Sequence, residues 1–141
     1  MKSRDVTIEQ LFERAKGYFP NFVGVVPVAK GDGWIEGEIA IRKEHIAPNT
    51  FLHAGCVITL ADTMCGYGCF STLPEGASGF ATIELKSNFL GTAREGVIVA
   101  RAEARHLGRQ TQLWDATVTH RDTGKTIALF RCTQMVLWPK M

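Results

Sequence analysis

Residues 54–73 form a run of twenty positions with a single charged side chain, Asp62. A helix that is apolar all round is a buried helix. The run therefore asks for a fold in which other elements wrap around one long central helix. A carboxylate in such a helix costs free energy unless it is paired, hydrogen-bonded or used, which marks out Asp62. The run also approaches the ~20 residues that cross a bilayer. However, Asp62 sits at its centre, Gly55, Gly66 and Gly68 interrupt it, and no basic flank follows. It reads as a core helix, with no membrane partner.

The length of 141 residues suits one domain, 1–141, with one core. A hydrophobic content of 45% and a charged content of 21% are those of an ordinary folded chain. The net charge of +2 excludes a general attraction to nucleic acid but leaves room for a local basic site that receives an anionic ligand. The opening Met1-Lys-Ser-Arg-Asp5 has no charged segment leading into an apolar one, so a cytoplasmic location is expected. Cys65 and Cys69 share a helical face with no clustered histidines to complete a metal site. With Cys56 and Cys132 they read as small apolar packing, and no metal is expected.

Thr7-Ile-Glu-Gln10 has the form of a capping box. Ile8, Leu11, Phe12 and Ala15 continue it at helical spacing, which predicts a helix over about 7–18. Residues 22–29 are rich in Val and Phe and predict a strand. Lys30-Gly-Asp-Gly33 is a turn, and residues 34–42 alternate, with Ile35, Ile39 and Ile41 opposite Glu36 and Glu38. A loop holds Pro48 and Asn49, the central helix follows, and residues 74–79 close it. Strand patterns then cover 81–89, 96–106, 110–120 and 125–138. In the first, Ile83, Leu85 and Phe89 alternate with Glu84, Lys86 and Asn88. Short glycine-containing connections, Leu107-Gly-Arg109 and Arg121-Asp-Thr-Gly124, make the later strands antiparallel. The expected class is α+β, an antiparallel sheet around one helix. Small alanines on the 96–106 strand would let the two approach closely. Uncovered sheet surface makes oligomerisation expected.

The pattern His53-x-Gly55-x6-Asp62 on a long helix resembles the hotdog-fold acyl-CoA thioesterases, in particular the PaaI-like branch of the 4-hydroxybenzoyl-CoA thioesterase superfamily. Asn49 in the preceding loop, the strand Ala81-Thr-Ile-Glu-Leu-Lys-Ser-Asn-Phe-Leu90 and the hairpin His106-Leu-Gly-Arg109 carry the same resemblance. It covers the chain from about Trp34 onward. Two departures stand out. The branch usually has His-Gly-Gly where this chain has His53-Ala54-Gly55, and Asn49 lies a residue or two closer to the histidine than is usual.

Hydrolysis of a thioester needs donors aimed at the developing oxyanion. The first turn of a helix offers unpaired N–H groups at the positive end of its dipole. The Ala54 or Gly55 N–H is therefore assigned to the carbonyl, with His53 capping and orienting. Asp62 lies roughly 13 Å further along the axis, too far to act on the same carbonyl within one subunit. The resemblance implies a homodimer of antiparallel helices. Each site then combines Asn49, His53 and Ala54 of one chain with Asp62 and Thr82 of the other. Asp62 is general base or nucleophile, Thr82 orients water, and Asn49 holds the water or orients Asp62. A tetramer built from two such dimers is also implied.

The resemblance implies a coenzyme A thioester as substrate, with no metal or redox cofactor. Its phosphates call for cationic side chains. The resemblance places Arg105, Gly108 and Arg109 near the nucleotide, and Asn88, Phe89 and Leu90 along the pantetheine path. Two rivals are weighed. A hotdog dehydratase or hydratase would use a His-Phe-Pro type of signature, absent here. An acyl-CoA-binding sensor would bring a DNA-binding segment, and the helix at 7–18 is not strongly basic.

Overall fold

The computed structural model describes residues 5–140, so the Met1 to Arg4 part of the N-terminal reading lies outside the described residues. Helix α1 (Ile8–Ala15) starts on the expected capping box: the Gln10 N–H donates to Thr7 Oγ1 and the Thr7 N–H to Gln10 Oε1. A short helix α2 (Phe19–Val23) follows, then strands β1 (Val26–Gly31) and β2 (Trp34–Ala40) and a turn of 3-10 helix (Lys43–His45). The central helix α3 (Ala54–Ser71) precedes β3 (Gly79–Phe89), β4 (Val97–Leu107), β5 (Thr111–His120) and β6 (Thr126–Leu137). The six strands form one antiparallel sheet in the order β1-β2-β4-β5-β6-β3, with α3 packed on one face. This is the hotdog arrangement.

The sequence expectation fails at α2. Residues 22–29 were expected to be one strand, yet Phe22 and Val23 are helical and the strand starts at Val26. Pro20 opens the helix with a preset φ, and Gly24, at φ 98°, ends it in the left-handed region. Arg42 then holds the closed turn by donating to the carbonyls of Phe22 and Val23. Local turn chemistry and one long-range arginine override the strand-like composition.

Helix and sheet lie close because small residues meet large ones across the interface. Ala100 and Ala102 of β4 are fully buried, as the sequence suggested. Gly68 of α3 faces the fully buried Trp114, and Gly37 of β2 faces Met64. A Cβ on Gly68 would come within 2.5 Å of the indole ring. The Trp114 Nε1–H donates to Gln112 Oε1, and Gln112 Nε2 donates to the Thr72 carbonyl. This buried amide thereby ties the end of α3 to the sheet and satisfies a carbonyl that the helix leaves open.

Burial of α3 is not complete all round. Ile58, Thr59, Asp62 and Thr63 are only half-buried, a stripe the chain's own sheet does not cover. Beside this stripe runs β3, an edge strand whose Ile83, Leu85 and Phe89 are 52%, 39% and 44% exposed. A bulge between Thr82 and Glu84 shifts the alternation. Thr82 pairs with Gln134 and Leu85 with Cys132, both buried, so Thr82 joins Leu85 and Phe89 on the helix-side face. Simple alternation would have grouped it with Glu84. No helix among the described residues is long and apolar enough to cross a membrane.

Gly68→Ala is expected to lower stability by about 1–3 kcal/mol, read as a drop in urea midpoint. Gly79→Ala, whose added methyl meets nothing within 4 Å, should stay within about 0.5 kcal/mol. An unchanged midpoint in Gly68→Ala would show that Trp114 has room to move.

Candidate active site

Two groups of candidate residues lie along α3. The first is at its start. His53 is the N-cap, and its Nδ1 accepts the Gly55 N–H at 2.8 Å. A backbone N–H can only donate, so Nδ1 is unprotonated and the neutral ring carries its proton on Nε2. His53 thus presents a donor outward, consistent with an orienting role and against that of a base. The Gly55 N–H is spent on this cap. The Ala54 N–H has no acceptor among the described residues, so of the two expected donors Ala54 is the open one.

Asn49 belongs to the tight turn before the helix. Its Oδ1 accepts the Phe51 N–H, the Thr50 N–H donates to the Ala47 carbonyl, and Thr50 takes a positive φ of 73°. Arg94 clamps this turn, donating from Nε to the Thr50 carbonyl at 3.0 Å and stacking on the Phe51 ring at 4.5 Å. The turn thus accounts for Asn49 Oδ1, as its neighbour Pro48 suggests.

The second group lies two turns on. Asp62 Oδ1 is buried and has no hydrogen-bond partner among the described residues. Burial pushes the carboxyl above its ordinary range, raising its basicity. The course of β3 sets the level of Thr82 along the helix. Strand β3 runs antiparallel to α3, because Phe80 near its start meets Gly66, while Thr92 beyond its end accepts the N–H of Leu52 ahead of the helix. Two residues of strand advance about 6.6 Å and one turn of helix about 5.4 Å, which brings Thr82 level with Asp62. The Thr82 hydroxyl donates to Oε1 of the fully buried Gln134 at 2.8 Å. Its proton is therefore committed inward, and its lone pairs face outward as acceptors.

The cysteines offer no competing nucleophile. Burial pushes the Cys56 thiol up to about 11 and the Cys69 thiol up to about 12. Cys65 is raised well above the ordinary value, first by its hydrogen bond with Cys132 and then by burial. All four are free thiols in the core, and a thiol kept protonated is a poor nucleophile.

The expected coenzyme A residues fall into three places. Asn88 and Arg105 line one shallow depression on the outer sheet face with Lys86 and Arg131. There Arg105 and Arg131 both pair with Asp115, whose carboxyl is held below its ordinary range chiefly by the Arg131 hydrogen bond. Gly108 and Arg109 form the β4–β5 hairpin, where Arg109 stacks on Trp138 at 4.1 Å. Phe89 ends β3, and the 59% exposed Leu90 follows it. Sequence reasoning missed Gln134, the partner of Thr82. Its alternation with the inward-facing Cys132 and Val136 was the available signal. It also missed Arg94 and His45, for which only a three-dimensional arrangement supplies a role.

Residues 49–127, which include both groups on α3, match the family model described as thioesterase superfamily. The chain belongs to this family. The 1,4-dihydroxy-2-naphthoyl-CoA hydrolase of Listeria monocytogenes is 31% identical over 111 residues, which cover 79% of this chain and 87% of that protein. A crystal structure of a thioesterase from Haemophilus influenzae has a TM-score of 0.90 and 26% identity, covering 96% of this chain and 94% of that one. The PaaI protein of Escherichia coli, at 24% identity and a TM-score of 0.73 over 82% of this chain and 86% of that one, shares the fold. This thioesterase is accordingly a thioester hydrolase by family and fold.

A carboxyl with a raised folded-state pKa makes the fold lose stability as pH rises through the window between its unfolded and folded values. Asp62→Asn removes that loss. Its Tm should exceed the wild type's at neutral pH. The difference should shrink towards zero as pH falls to about 4. A lower Tm at neutral pH would show that Asp62 has a favourable partner.

Proposed function

We propose that this thioesterase hydrolyses acyl-CoA to a free carboxylic acid and coenzyme A, at a site shared by two antiparallel copies of the chain. The observation that carries the reading is Asp62, which sits on the stripe of α3 that the chain's own sheet leaves uncovered and has an oxygen with no hydrogen-bond partner among the described residues. Buried polar atoms are almost always hydrogen-bonded, so this carboxylate is kept for a group that comes from outside the chain. A second copy laid against the stripe and against β3 covers the exposed Leu85 and Phe89. It also brings the free Ala54 N–H of one copy towards Asp62 of the other, which the distance along a single helix forbids.

In this arrangement the Ala54 N–H polarises the thioester carbonyl, and the charge that builds on oxygen falls at the positive end of α3. The His53 Nε2–H stands beside it as a second donor. Asp62 either takes a proton from a water that attacks the carbonyl carbon, or attacks it directly and is released by water from the resulting anhydride. Both routes break the carbon–sulfur bond and pass a proton to the leaving thiolate. Thr82, with its own proton on Gln134, accepts a hydrogen bond from the attacking water and so aims it. The substrate class follows the Listeria relative only as far as the coenzyme A thioester.

Asp62→Asn should cut thiol release from acyl-CoA at least a hundredfold with the fold intact. Full activity in that variant would remove Asp62 from the chemistry. Ala54 is the first residue of α3, where proline is accommodated, and His53 already has the extended backbone that precedes proline (φ −65°, ψ 131°). Ala54→Pro therefore deletes the N–H without breaking the helix, and kcat should fall about 10²–10³-fold. Mixing and refolding the two inactive variants together should restore activity, because one site of each mixed pair then holds both intact groups. No recovery despite exchange of chains would place the whole site within one copy.

A further inference from the structure

We infer that the groove between α2 and the start of α3 is the acyl subsite, and that it selects a bulky, unsubstituted apolar acyl group through Phe19 and Phe22. The inference rests on the thioesterase reading above and adds the substrate class. The groove encloses about 540 Å³, and its lining includes His53 and Gly55, which flank the free Ala54 N–H in the chain, and Thr59 one turn further along α3. A thioester carbonyl held at that N–H therefore has one of its two substituents at the mouth of this groove. The walls are Phe19, Phe22, Ile46, Ala47, Pro48 and Cys56. Ligand pockets commonly span ~300–1,000 Å³, so the space is generous for an acetyl group and ordinary for a medium-chain or aryl one.

The polar groups at the groove decide which end of the substrate enters. Arg42 donates to the carbonyls of Phe22 and Val23 and pairs with Glu44 at 3.5 Å. Buried His45 is equally committed: its Nδ1 accepts the Arg42 N–H, which leaves the proton on Nε2 to donate to the Val23 carbonyl. Thr59 Oγ1 donates to the Gly55 carbonyl. Pantetheine, with two amides and a pyrophosphate, would meet few unused partners here, and burying amides unpaired is costly. A hydrocarbon or a plain aromatic ring meets no such penalty, whereas a ring hydroxyl would find Arg42, His45 and the Thr59 proton already engaged. Phe19 and Phe22 are 62% and 76% exposed, apolar surface that an acyl group would cover. His45 also accepts the His53 N–H on its own carbonyl, so the groove wall and the helix start are held by one residue and the subsite is preformed.

The test is kcat/KM for acetyl-, octanoyl-, phenylacetyl- and dihydroxybenzoyl-CoA in the wild type, Phe22→Ala and Ala47→Phe. The wild type should prefer octanoyl or phenylacetyl over both acetyl and dihydroxybenzoyl. The ratio of octanoyl to acetyl should fall at least tenfold in either variant, one removing a wall and the other filling the groove. A ratio kept within twofold in both variants would overturn the assignment, even if all rates drop together. So would a loss of dimer in light scattering of Phe22→Ala with the ratio kept, which would make the groove a contact between copies. Titration calorimetry of the same series reads the same ratio as Kd. Chain-length discrimination in binding without hydrolysis would sink the thioesterase reading and leave the groove assigned. Hydrolysis with a flat acyl profile would do the reverse.

Discussion

The close contact of α3 with the sheet governs the rest of the molecule. Gly68 against Trp114 and Gly37 against Met64 bring a long apolar helix down onto β-strands lined with buried alanines. A helix seated so deeply presents its start, its end and one stripe to everything else. Its end is held by the Gln112 amide and its start by the His53 cap, and the stripe carries Asp62. Ala54 and Asp62 cannot drift relative to each other, because both are fixed to one rigid rod. Spacing along that rod, rather than any contact between the groups, is what makes a second copy necessary to the proposed chemistry.

The polar side chains of the candidate site are largely committed before substrate arrives. His53 has its Nδ1 on the Gly55 N–H, Thr82 has its proton on Gln134, and Asn49 has its Oδ1 in a turn. Each commitment fixes which hydrogen-bonding role remains: a donor on His53, an acceptor on Thr82. Asp62, by contrast, keeps a buried oxygen without a partner among the described residues. Electrostatic catalysis depends on dipoles that need not reorient as charge develops, and such prior commitments are how a fold prevents reorientation.

Much of this was readable in the sequence, and the remainder was hidden for identifiable reasons. The buried run with its lone aspartate, the Thr7 capping box and the glycine-marked hairpins depend on local pattern, and the structure shows them. The order of strands was not readable, because β3 crosses to the far edge beside β6 after the helix. The bulge at Ile83 was also hidden, since one extra residue leaves no mark in composition yet turns Thr82 from the outer face to the inner. Helix α2 was concealed by its Val and Phe content, and what makes it helical includes Arg42, far along the chain. Gln112 and Gln134 look like surface residues by type. Only their alternation with Trp114 and Cys132 places them inside.

The way α2 is fastened has a consequence for how such a chain can change over generations. Arg42 and His45 grip the carbonyl oxygens of Phe22 and Val23, not their side chains. Every residue type supplies a carbonyl, so the fastening is indifferent to what is written at positions 19 and 22. The scaffold thereby separates the parts that hold the wall from the parts the wall displays. Successive substitutions there can retune the surface one residue at a time, while the grip on α2 and the start of α3 stays as it was. A lineage with this architecture can explore new molecules without first risking the machinery that acts on them.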